Sequence, residues 1–109
     1  MVLDVSKMAQ DMLNAAKISL AKVWSEAEGY AKMEFTKIAH NIAAIEQMQI
    51  DKTITKEKAQ LQFDMQKNAS RAVLLTIEGL GIIAVEQAIN AALGAVKDTV
   101  NNALGWTLI

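Results

Sequence analysis

The sequence predicts an all-α protein, a long antiparallel helical hairpin that dimerises into a four-helix bundle. Three observations carry that expectation. Apolar residues recur at helical spacing along most of the chain, none of the 109 residues is proline, and the pattern lapses at one short segment near residue 50. An interior proline would remove a backbone donor and clash with the preceding turn, so its absence permits two long uninterrupted helices.

The first helix is expected over about residues 4–49. At about 100° per residue, Ala9, Leu13, Ala16, Leu20, Val23, Trp24, Ala27, Ala31, Phe35, Ile38, Ile42 and Ile45 share one face. Lys7, Asp11, Asn14, Lys22, Ser25, Lys32 and His40 share the other. That is the period of an amphipathic helix, with Asp4 placed to cap its start. The pattern fades at Gln49-Ile50-Asp51-Lys52, so a turn is expected over about 50–55. Thr55 then reads as the cap of a second helix, with Ile54 able to pack on Ala59 as a hydrophobic staple. This helix is expected over about 56–104, ended by Gly105, with a short apolar tail over 105–109. The whole chain, 1–109, reads as a single helical domain.

A connection of a few residues makes the two helices antiparallel, each roughly 70 Å long. Two such helices leave an apolar flank in water, most acutely between Ala72 and Val96, where apolar residues point all round. Burying that flank against a second copy gives the expected homodimer. Gly29 lies nearly level with Glu78-Gly79-Leu80-Gly81 across the hairpin. Either both helices bend there and the chain folds back into a compact four-helix monomer, or the small residues allow helices to cross closely. The close crossing is the preferred reading, because no turn-forming cluster surrounds Gly29.

Composition narrows the function classes. The chain is 52% hydrophobic and 21% charged, which argues against disorder. Eleven basic and twelve acidic residues give a net charge of −1, with no basic excess to grip a phosphate backbone, so no nucleic-acid partner is expected. With no cysteine there is neither disulfide nor thiol chemistry, and with no signal-like start the expected location is cytoplasmic. Ala72–Val96 is long enough to span a bilayer, but Glu78 and Glu86 would each cost about 2.5–3.5 kcal/mol at its centre.

Few residues carry chemistry. Glu34 sits among Tyr30, Ala31, Ile38 and Ile42 on the apolar face, where a carboxylate needs a partner. The hairpin register offers Arg71, the chain's single arginine, so a structural Glu34–Arg71 ion pair is expected. Glu34 and Glu78 are weaker candidates for a metal shared between symmetry copies, being about 9 Å apart along one hairpin. The Glu-x-x-His step of carboxylate-bridged metal bundles is missing, because His40, the one histidine, has Thr36, Lys37, Ala43 and Ala44 as helical neighbours. Glu78 and Glu86 read as partners for Lys32, Lys22 or Lys17. Trp24, Tyr30, Phe35 and Phe63 are spaced as core residues. No catalytic residue, cofactor site or resident metal is expected. The function expected is a non-enzymatic, self-associating scaffold or interaction protein. The alternatives are a small carboxylate metal-binding bundle, or a membrane-active protein exposing Ala72–Val96 and the tail Trp106–Ile109.

Overall fold

A computed structural model describes residues 2–109, and among these the chain is all-α. Helix α1 spans Val5–Leu20 and begins at Asp4, whose side chain accepts the Lys7 backbone N–H at 3.0 Å. A 3₁₀ turn, Ala21–Val23, leads into α2, Trp24–Ile50. Helix α3 spans Lys56–Leu74 with Thr55 as its N-cap, accepting from the Lys58 N–H at 3.2 Å. Helix α4 spans Ile82–Leu104 and stops at Gly105, which adopts the left-handed conformation.

The turn between α2 and α3 is a Schellman motif. The Thr53 N–H reaches back to the Met48 carbonyl at 2.8 Å and the Lys52 N–H to the Gln49 carbonyl at 3.1 Å. Lys52 carries the positive φ, 58°, that the motif demands. Ile54 packs against the core, close to where the staple with the buried Ala59 was expected.

Neither arm of the expected hairpin stays straight. A continuous helix from Val5 to Ile50 would measure about 70 Å, whereas the whole molecule is only 43 Å long. The first arm doubles back at Ala21–Val23, so that Leu3 at the head of α1 donates its N–H to Glu46 near the end of α2. The second arm, expected as one helix over 56–104, is interrupted by Leu75–Gly81. There Gly79 takes φ +88°, which a side chain would disfavour, and Gly81 serves as the N-cap of α4. Four antiparallel helices result, with α1 packed against both α2 and α4, and α3 against α2. The most extensive packing is between α1 and α4, which carry the fully buried Ala16, Ala88 and Ala92.

The fold-back corrects the preferred crossing geometry. Gly29 lies exposed within α2 with open space where its Cβ would be, so no helix crosses there, and the bend of the first arm falls six residues earlier. Much of the apolar flank that motivated a second copy is covered within the chain, where Leu20, Phe35, Ile42, Phe63, Leu74, Ile89 and Val96 belong to one core, while Leu75, Ile82 and Ile83 stay exposed. Ala72–Val96 is no single helix, and no helix of the described residues is long and apolar enough to cross a membrane. The tail is docked. Leu108 is buried, and the Asn101 carboxamide accepts the Leu108 and Ile109 N–H groups and donates to the Ile109 carbonyl.

Candidate functional site

The ion pair expected between Glu34 and Arg71 is not formed. Arg71 binds Glu86 through both Nε and Nη2, and also the Asn68 side chain. In a straight second arm Glu86 would lie about 22 Å further along the axis; the reversal at Leu75–Gly81 brings it alongside. Glu34, 1% exposed, accepts instead from Lys37 at 3.0 Å, one turn along its own helix. The Lys37 head is half exposed, so the buried carboxylate is met by a cation that remains hydrated. Lys17 lies over the Trp24 ring at 5.3 Å and makes no pair with Glu86. Glu78 lies exposed in the α3–α4 connection, outside the ion pairs of the described residues, including those expected with the lysines. No three His, Asp or Glu residues among those described gather as a metal site.

Periodicity did not single out Glu46, a second buried carboxylate. Its two oxygens accept the Val2 and Leu3 N–H groups at 3.1 and 3.2 Å, which pins the segment before α1 to α2. Its position beside Ile42 and Ile45 on the apolar face was the signal that could have found it. Gln49 ties the other loose end: its Nε2 donates to the Leu104 carbonyl and its Oε1 accepts from the Trp106 indole, both at 2.7 Å. These polar groups are structural, closing the end of the molecule where the turn and both termini of the described chain meet.

The surface carries a groove and an apolar stripe, besides other exposed apolar side chains such as Ile18, Ile82 and Ile83. Between α1 and α2 lies a groove of about 370 Å³, floored by Val5, Ala9 and Leu13 and edged by Lys32, Thr36 and His40. The outer face of α3 carries Leu61 and Met65, 61% and 63% exposed, followed on the same face by Ala69 and Ala72. Their spacing of three or four residues makes one apolar stripe. The charged residues between Leu61 and Ala72 lie beside the stripe: Lys67 and Arg71 are turned toward α4, and Asp64, partly buried at its edge, accepts a hydrogen bond from Gln60. Of the aromatic residues expected in the core, Phe35 and Phe63 are buried and Trp24 is half-buried, while Tyr30 is about half exposed. No family model, curated protein sequence or solved structure shows a significant match to this chain.

Proposed function

We propose that the chain is a non-enzymatic helical scaffold that associates with further copies of itself through the outer face of α3. The observation that carries this is the Leu61–Met65–Ala69–Ala72 stripe, apolar and uncharged on a helix whose other faces are engaged by α2 and α4. Two such stripes can meet without like-charge repulsion, and burying Leu61 and Met65 removes apolar surface from water. The flanking Gln62 and Asn68 supply amides for a polar rim.

Sedimentation equilibrium tests the reading. Wild-type protein is expected to exceed the 11.9 kDa monomer mass at micromolar concentration. The double substitution Leu61→Glu, Met65→Glu is expected to return it to monomer with unchanged helical circular dichroism. A wild-type mass that stays at the monomer value up to millimolar concentration would reject association.

A further inference from the structure

Three pairs of residues on neighbouring parts of the fold share one geometric property. Met8 and Val96 line one groove, Asn41 and Met65 line another, and a Cβ on Gly79 would lie 3.1 Å from Val23 Cγ1. The midpoint of every pair in sequence falls at residues 51 to 53, inside the turn between α2 and α3. The register of α1 on α4 and of α2 on α3 is therefore that of one straight hairpin, although the hairpin is folded in half. The molecule is two helix pairs packed on each other, and the backbone connects them only through Leu20–Trp24 and Leu75–Gly81, which touch each other at one end.

We propose that the α1–α4 pair exchanges between two copies of this chain, both connections straightening together. The first connection contains no helix breaker: Leu20-Ala21-Lys22-Val23-Trp24 has neither glycine nor proline. Ala21 (φ −56°, ψ −36°) and Trp24 (φ −55°, ψ −41°) are already helical. Leu20 (φ −102°, ψ 2°) and Val23 (φ −125°, ψ 27°) depart by about 40–70° in each angle from the α-helical values. In the second connection Gly79 and Gly81 can adopt either the observed backbone or a helical one. Straightened, each copy is a two-helix hairpin about 70 Å long. Two of them, laid antiparallel, rebuild the same core twice.

Every interaction between the two pairs has the same partners after exchange. Arg71 with Glu86, Glu46 with the N–H groups of Val2 and Leu3, and Gln49 with Leu104 and Trp106 each join one pair to the other. All are remade between copies, which is the condition for a swapped dimer. The outer face of α3 stays exposed in this dimer, so the exchange does not rest on the association proposed above.

Substitutions at the two connections test it with opposite signs. Gly79→Ala opposes the positive φ and the close approach of Val23, and favours a helix; it is expected to strengthen the dimer by about tenfold or more. Lys22→Gly favours the bend over the helix and is expected to weaken it by a similar factor. Small-angle scattering is expected to show a particle near 70 Å long in the dimer fraction, against 43 Å for the closed chain. Subunit exchange between isotopically heavy and light wild-type dimers, followed by native mass spectrometry, is expected to take hours because both bends must open. The swap is overturned if Gly79→Ala and wild type stay monomeric and fully helical to millimolar concentration. It is equally overturned if the only dimer is compact, exchanges within seconds and disappears in Leu61→Glu, Met65→Glu.

Discussion

The Asp51–Thr55 turn and the Ala21–Val23 bend both set two helices antiparallel, yet they are built from different materials. The turn is made of local parts: a Schellman pair of backbone hydrogen bonds, Lys52 in the left-handed region, and the Thr55 cap three residues on. The bend has no side-chain cap, no glycine and no proline, and its backbone departs from helix at Leu20 and Val23. What holds it is burial on either side, with Leu20 and Ala27 both fully buried. A reversal can thus be encoded by neighbours in sequence, or imposed by packing on a segment that locally prefers to remain helical.

The largest expected effect tests the imposed reversal. Leu20→Ala should cost about 2–5 kcal/mol in urea denaturation, as for other fully buried leucines. A loss under about 1 kcal/mol would mean that core packing at Leu20 does not hold the bend. The local reversal should respond more mildly. Thr55→Ala removes the acceptor for the Lys58 N–H and should cost about 1 kcal/mol, measured the same way. Lys52→Gly should go in the opposite direction, raising stability by about 0.5–1 kcal/mol, because φ 58° is unfavourable to a residue with a Cβ. A lower midpoint for this variant would argue that the turn is not a Schellman motif.

The smallest effect concerns the third reversal, at Leu75–Gly81. Arg71 and Glu86 straddle it and are both partly solvated, so a double-mutant cycle with Arg71→Met and Glu86→Leu should give a coupling of about 0.5–1 kcal/mol. The corresponding cycle for Glu34→Leu and Arg71→Met should be additive, since Glu34 is paired with Lys37. Coupling in the second cycle and none in the first would indicate a straight second arm.

The same division explains which expectations survived. Asp4, Thr55 and Gly105 act within one helical turn of their partners, and each ends its helix where its chemistry indicated. Glu34 was recognisable as a buried carboxylate from its apolar helical neighbours alone. Its partner was not, because choosing between Arg71 and Lys37 required knowing that Arg71 would meet Glu86, fifteen residues further along the chain, across the reversal at Leu75–Gly81. Gly29 was misleading for a related reason: an interior glycine marks a possible bend, but α2 tolerates it on an open face. The spacing of the stripe on α3 is present in the sequence, but its exposure depends on which faces of α3 pack against α2 and α4.

By itself the sequence determined the all-α class, the limits of the first helical run, the turn near residue 52 and the starts of α1 and α3. These follow from helical periodicity and from caps, which act over three or four residues. Only the tertiary structure decided that the hairpin folds in half, which carboxylate meets which cation, and that the tail is clasped by Asn101. The physical reason is that an apolar flank must be buried but does not specify against what. A second copy or the chain's own other half satisfies it equally well, and with the bends at Leu20–Val23 and Leu75–Gly81 formed it is the chain's own other half that covers most of it.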